Sequence, residues 1–324
     1  MLTAVFLVCM TALAYLPALR DGGYIWDDKA HVSGCHFLEN AAGLRAIWTR
    51  IGSRNGGTQQ YYPLTYTSFW AEYRLWGPDP AGYHLTNVLL HGLNAALVWL
   101  ILLRLRVPGA LLAALIFALH PVHVESVAWI TQRKNVLSGF FYLLSLRCFL
   151  KFFGVEENEG RTSAGTGAAS PGLYAAGSVL FVCALASKSV TATLPAAVLL
   201  ALWWKRGRIA WKELLLVSPL LAAGAASGLV TAYLEKHHVG ASGADWALSP
   251  AERFILAGRA LWFYAGKLAW PSPLMFIYPR WDITGEAWPQ YLLPSGALAV
   301  ISALWRLRVR LGRGPLAAVL FFSG

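Results

Sequence analysis

Long apolar runs, broken by short polar clusters, dominate this chain from its first residues to its last. A helix needs about 20 apolar residues to cross the hydrocarbon of a bilayer. On that measure the runs predict spans at 2–19, 83–103, 108–119, 137–153, 173–186, 190–204, 214–234 and 291–305. The first run carries "ALA" at 12–14, which resembles a signal-peptidase site, but it has no basic start and is long, so it reads as an uncleaved anchor. A final apolar run begins at Leu316 and stops at Gly324, too short to cross, and the chain is expected to be a piece of a larger protein.

Short basic loops set the orientation. Arg104 and Arg106, then Lys205, Arg206, Arg208 and Lys212, then Arg306, Arg308, Arg310 and Arg313 read as cytoplasmic. With the N-terminus inside, the run ending at Leu234 emerges outside, so one crossing separates it from Arg306, and 291–305 supplies it. The segment "AERFILAGRALWFYAGKLAW" therefore should not cross. Its Arg253, Arg259 and Lys267 recur at near-helical spacing, which predicts a helix lying in the outer interface. The outer face then collects a long first loop (20–82), a turn at 120–134, the tripeptide "SKS" at 187–189 and the stretch 235–290. On the cytoplasmic side, "VEENEGRTSAGTGAASPG" has the composition of a flexible solvated loop.

Composition agrees. Of 324 residues 57% are hydrophobic and 13% charged, with mean hydropathy +0.50, whereas a soluble domain carries about a quarter charged residues. The expected fold class is an all-α polytopic membrane protein. The net charge of +11 belongs to membrane-facing loops, since no basic stripe with interleaved aromatics marks a nucleic-acid surface. Cys9, Cys148 and Cys183 lie in apolar runs and Cys35 stands in a loop, a scatter without disulfide or zinc spacing.

Candidate chemistry gathers on the outer side. Asp27 and Asp28 follow the first run, and paired carboxylates can take a proton from a hydroxyl or hold a divalent cation; an ordinary acidic loop is the plain alternative. "HPVHVESVAWITQRKN" holds His120, His123, Glu125, Arg133 and Lys134. The HxxH spacing lacks a strong third metal ligand, so this cluster reads as a polar pocket wall. His84, Asn87, His91 and Asn94 share one helical face and read mainly as hydrogen-bonding glue between spans, with His84 nearest the outer end. Lys188 stands between two apolar runs, where it can snorkel or meet a lipid-linked phosphate. Tyr278, Arg280 and Trp281 lie in a proline-rich outer loop, suited to sugar and phosphate contact or to an interfacial belt.

Together "YIWDDKAHV", "YYPLTYTSFWAEYRLWGPDPAGYHLTNVLLHGLNAALV", "ALHPVHVESVAWITQRKNVLSGFFYLLSL" and "SKSVTATLPAAVLLALWW" resemble the membrane half of the transmembrane and tetratricopeptide-repeat O-mannosyltransferase family, in its bacterial branch. The resemblance implies one GT-C-like transmembrane domain over 1–324, with tetratricopeptide repeats following it in the whole protein. It implies a polyprenyl- or dolichyl-phosphate sugar donor, mannose foremost, and a hydroxyl acceptor, protein Ser/Thr foremost. The active face would be extracytoplasmic or luminal, in a bacterial inner membrane or the endoplasmic reticulum. Asp28 or Asp27 would be the base, with Asp28 the narrow choice. Lys188, Arg133 and Arg280 would hold the departing phosphate, with or without Mg or Mn, and His84, His120, His123, Glu125 and Tyr278 would wall the pocket. Where the family reads Ser-Lys-Glu this chain has Ser189 in place of the acid. The rival reading is a non-catalytic membrane anchor for partner-binding repeats. A transporter fits less well, because the charges gather at the outer edge instead of mid-membrane.

Overall fold

A computed structural model describes residues 1–50, 60–155, 170–239, 243 and 247–324. The described chain is all-α, with no strand. Four of its helices are long and apolar enough to cross a membrane, or five if the bent pair at 110–128 is one span, so this is a polytopic integral membrane protein. It divides into two compact units, 1–199 with 210–239 and 200–209 with 240–324. The loop expected at 155–172 lies, over 156–169, outside the described residues.

The first unit holds α1 (Leu2–Ala14), α2 (Leu16–Asp21), α3 (Asp28–His31), α4 (Ala41–Thr49), α5 (Pro63–Trp76), α6 (Pro80–Arg104), α7 (Ala110–Leu119), α8 (Val124–Ala128), α9 (Arg133–Phe152), α10 (Pro171–Ser187), the start of α11 (Leu194–Arg206) and α12 (Trp211–Leu234). Helix boundaries follow local chemistry. The run at 2–19 breaks after Ala14, because Pro17 has no N–H to continue the ladder. His120 is extended, as residues before proline tend to be, and the chain bends 48° there. The run at 190–204 starts late: Thr191 and Thr193 turn their hydroxyls back to the carbonyls of Lys188 and Val190, and Ser189–Thr193 forms a 3₁₀ turn before α11. α10 has 17 residues and α11 has 13, both shorter than a standard span.

α6 is the hub of this unit. Asp79 caps it, its carboxylate accepting from Ala81 N at 3.0 Å, and Pro80 opens it. The polar stripe is wholly buried. Asn87 Nδ2 lies 3.2 Å from the carbonyls of Val127 and Trp129, Asn94 Nδ2 donates to Val136 O at 2.8 Å, and His91 Nε2 meets Ala118 O at 3.2 Å. Glue is thus what Asn87, His91 and Asn94 supply, tying α6 to the chain from α7 to α9. α1 reaches α6 at Gly92, where a Cβ would sit 3.1 Å from Val8 Cα. α10 likewise meets α9, Ser145 Oγ donating to Gly177 O at 2.7 Å.

The second unit contains α13 (Pro250–Ala269), α14 (Leu292–Leu311) and α15 (Gly314–Ser323). Ser249 and Glu252 cap α13 reciprocally, at 3.3 and 2.8 Å. α13 is a regular helix that is not apolar enough to span, in keeping with its Arg253, Arg259 and Lys267. It packs on α14 through Gly258, where a Cβ would come within 2.4 Å of Pro294 N, and through Trp262 Nε1 donating to Leu293 O at 2.8 Å.

A branched side chain at Gly92 would press on the Val8 backbone and on the side chains of Val8 and Thr11. Gly92→Val should destabilise the first unit by about 1–3 kcal/mol, seen as a lower unfolding temperature in detergent, while Gly266→Ala, with open space around it, should not.

Candidate active site

The two adjacent carboxylates do different jobs. Asp28 is the first residue of α3 and is fully buried. Its Oδ2 accepts from Ile25 N at 3.0 Å and its Oδ1 from Thr131 N at 2.9 Å, clamping the first loop to the turn before α9. Burial raises its pKa, the hydrogen bonds from Ile25 and Thr131 oppose that, and Asp27 adds a smaller upward push. Trp26, just before the pair, has φ 49°, a left-handed conformation that costs a non-glycine residue about 1–2 kcal/mol. Local strain of this kind gathers at functional sites.

Asp27 stays partly open. Its Oδ1 accepts from Thr131 Oγ1 at 2.7 Å and Trp129 Nε1 at 3.1 Å, while Oδ2 lies 3.4 Å from His31 Nε2. Both oxygens of Asp28 are taken by backbone donors. Asp27, by contrast, keeps an oxygen that an incoming hydroxyl could reach.

Beside this pair lies a small hollow of about 20 Å³, lined by His31, Gln60, Tyr62, Thr65, Tyr66, Phe69, Thr131 and Lys134. Lys134 Nζ reaches Gln60 Oε1 at 3.4 Å. Lys188 Nζ donates to Asn135 Oδ1 at 2.5 Å, and Asn135 is itself steadied by Ser126 Oγ and Gln132 Oε1, each at 3.0 Å. Thr65 Oγ1 bonds Ser187 O at 3.0 Å, which holds the turn carrying Lys188 against the pocket-lining helix α5. The Lys188 ammonium is pushed down to about 8, first by burial and then by the like charge of Lys134, with Glu125 opposing. Two cations held this close favour an anion between them. Ser189 bonds the hydroxyl of Tyr62, which Glu235 also approaches.

The remaining expected site residues scatter. Arg133 is fully buried and turned away from the hollow. Its Nη1 pairs with Glu72 Oε2 at 2.9 Å, its Nη2 donates to Tyr83 O at 2.9 Å and its Nε to Asn87 Oδ1. With its donors committed inside the protein, Arg133 is a structural cation, and its neighbour Lys134 is the one that lines the pocket. His84 is buried on α6 with its ring against Gly22. His120 Nδ1 accepts from Val122 N at 3.2 Å, and His123 packs on Phe117 and His91, with ring centroids 4.7 and 5.2 Å away. Neither lines the hollow, and Glu125 is exposed, acting on the lysines at a distance. Tyr278 and Arg280 belong to the second unit. Tyr278 there packs on Phe263 at 5.0 Å, with Lys267 Nζ 5.6 Å from its ring. Among the described residues no three His, Cys, Asp or Glu side chains gather as a metal site, and the lysine that lines the hollow is Lys134.

Lys134, expected from the sequence in a polar pocket wall, lines the hollow, whereas His31 and Tyr66, which also line it, were not among the expected site residues. The signal for His31 was present in "DDKAH", whose i, i+4 spacing brings it one helical turn from Asp27.

Removing one partner of the Glu72–Arg133 pair should cost about 3–5 kcal/mol, because the other charge stays buried and uncompensated. Arg133→Met should therefore lower stability in detergent more than the Glu72→Leu/Arg133→Met double variant does, a difference that a double-mutant cycle reads directly.

No family model and no solved structure matches the chain. Curated relatives do. It is 42% identical over 107 residues to protein O-mannosyl-transferase tmtc2 of Xenopus laevis, covering 32% of this chain and 13% of that protein. Human protein O-mannosyl-transferase TMTC4 is 33% identical over 165 residues, or 44% of this chain and 22% of the relative. Drosophila melanogaster protein O-mannosyl-transferase Tmtc1 is 34% identical over 146 residues, covering 42% and 17%. The matched stretches thus span 13–22% of these relatives' own lengths. Over 32–44% of its length, this membrane protein is similar to proteins named protein O-mannosyl-transferase, the name its motifs led one to expect.

Proposed function

We propose that this chain is the membrane-embedded catalytic part of a protein O-mannosyltransferase, moving mannose from a polyprenyl- or dolichyl-phosphate donor to a Ser or Thr hydroxyl at the extracytoplasmic or luminal face. One observation supports this reading most: Lys134 lines a hollow of aromatic and hydroxyl groups, the partly open carboxylate of Asp27 is held by Thr131 of its wall, and Lys188 is close enough to Lys134 to feel its charge. The names of the curated relatives point the same way.

The chemistry needs a base on one side of the anomeric carbon and positive charge on the other. Asp27 Oδ2 takes the proton of the acceptor hydroxyl as its oxygen attacks that carbon. The bond from the carbon to the phosphate oxygen breaks through an oxocarbenium-like state, as in other glycosyl transfers. The departing lipid phosphate gains negative charge, which Lys188 and Lys134 stabilise. Tyr62, Tyr66 and Phe69 offer ring surface to a sugar, and Gln60 and Thr131 offer hydrogen bonds. Asp28 keeps the loop that carries Asp27 in register with Thr131.

The test uses the natural full-length protein in membranes with radiolabelled polyprenyl- and dolichyl-phosphate mannose, following label into protein. Asp27→Asn should lower transfer by about 10²–10⁴-fold while leaving the protein folded. Transfer that survives both Asp27→Asn and Lys188→Ala would overturn these roles, and no transfer from either donor would favour the anchor reading. The pH profile gives a second check. Lys188 acts as a cation and its ammonium is pushed down to about 8, so activity should fall as pH rises through that region. Lys188→Arg keeps its charge at all such pH values and should move that decline to higher pH.

A further inference from the structure

His31 ends α3 one turn after Asp27, and the proposed transfer as described gives it no part. Its ring is held at both nitrogens. Nε2 lies 3.4 Å from Asp27 Oδ2, and Nδ1 lies 2.6 Å from the hydroxyl of Tyr66 on α5. The Asp27 carboxylate can only accept, so Nε2 is the nitrogen that donates, and Nδ1 is left to accept from the phenol of Tyr66, whose pKa burial holds well above the ordinary range. The imidazole's own hydrogen then sits on Nε2, facing the carboxylate. The other charged groups acting on this ring are Lys134 from α9 and Asp28 from its own helix.

We propose that His31, fixed by Tyr66 in the Nε2–H tautomer, is a positioning residue that steadies the Asp27 carboxylate at the hollow and silences the site when it takes a second proton. This rests on Asp27 being the base of the proposed transfer. With one proton, His31 lends Asp27 a single neutral hydrogen bond and leaves it basic. A second proton, taken from solvent onto Nδ1, ends the acceptance from Tyr66 and makes an imidazolium, which pairs with Asp27 and holds the carboxylate ionised but weakly basic. Burial and Lys134 disfavour that second proton, while Asp27 and Asp28 favour it, and the net displacement of the histidine is downward. The resulting acid limb therefore lies below about 6.5, the ordinary histidine value. A wall residue that merely fills space would produce none of this.

The full-length protein in nanodiscs, with ¹⁵N-labelled histidine, tests the arrangement in two ways. The His31 signals, identified by their loss in His31→Gln, should show a protonated Nε2 and a bare Nδ1, and Tyr66→Phe should turn that single tautomer into a mixture. A mixture already present in the wild type overturns the proposal whether or not the protein transfers mannose. In the transfer assay, His31→Ala should lower kcat about tenfold with KM little changed, short of the roughly 10²-fold or greater loss expected from removing the base. His31→Gln, whose amide N–H can still reach Asp27 but cannot titrate, should recover part of that loss and lack the acid limb. An acid limb that persists unchanged in His31→Gln overturns the switch. A wild type that transfers no mannose defeats the functional proposal alone, since the tautomer spectrum still decides the role of His31.

Discussion

Arg133 sits where α5, α6 and α9 meet, and its guanidinium fixes the spacing among them. Glu72 and Ser68 come from α5, the Tyr83 carbonyl and Asn87 from α6, and the arginine itself opens α9. Burying that charge is expensive, and a buried ion pair is weak support for stability in itself. Its planar fork of donors does set geometry. Phe69 and Tyr66 on α5 and Lys134 on α9 all line the hollow, so the pocket inherits its shape from the helices this one side chain joins. Asn87 serves twice, accepting from Arg133 through Oδ1 and donating to the turn before α9 through Nδ2.

Much of this was legible in the sequence. Apolar run length marked the membrane helices, and the spacing of Asn87, His91 and Asn94 marked a buried hydrogen-bonding face. What escaped was direction. Arg133 and Lys134 are adjacent, and on a helix neighbours point about 100° apart, so one entered the protein and the other the hollow. A reading that weighs residue types alone favours arginine for phosphate; only the surrounding helices reveal which way each points. Asp27 and Asp28 pose the same difficulty. Their roles are divided by a backbone N–H from Thr131, more than a hundred residues away, and no local pattern announces such a partner.

Span length also misled where side chains compete with the backbone. The run at 190–204 is apolar enough to look like a full crossing, yet threonine hydroxyls and Pro195 delay the helix until Leu194. That delay makes room for the extended Lys188 and the turn after it, which place an ammonium beside Asn135. An apparent defect in a membrane helix thus coincides with the position of the ammonium proposed to meet the phosphate.

The Asp28 clamp has a bearing on how the protein is made. Its two ends are 103 residues apart, and the Thr65 tie to Ser187 reaches 122 residues onward. During synthesis the first loop leaves the ribosome well before Thr131, and that turn well before Ser187. Asp28 must therefore wait in water, ordinary and ionised, until the later helices enter the membrane and enclose it. The acidic loop is among the first parts of the unit to be translated, yet its clamp cannot form until Thr131 has been made.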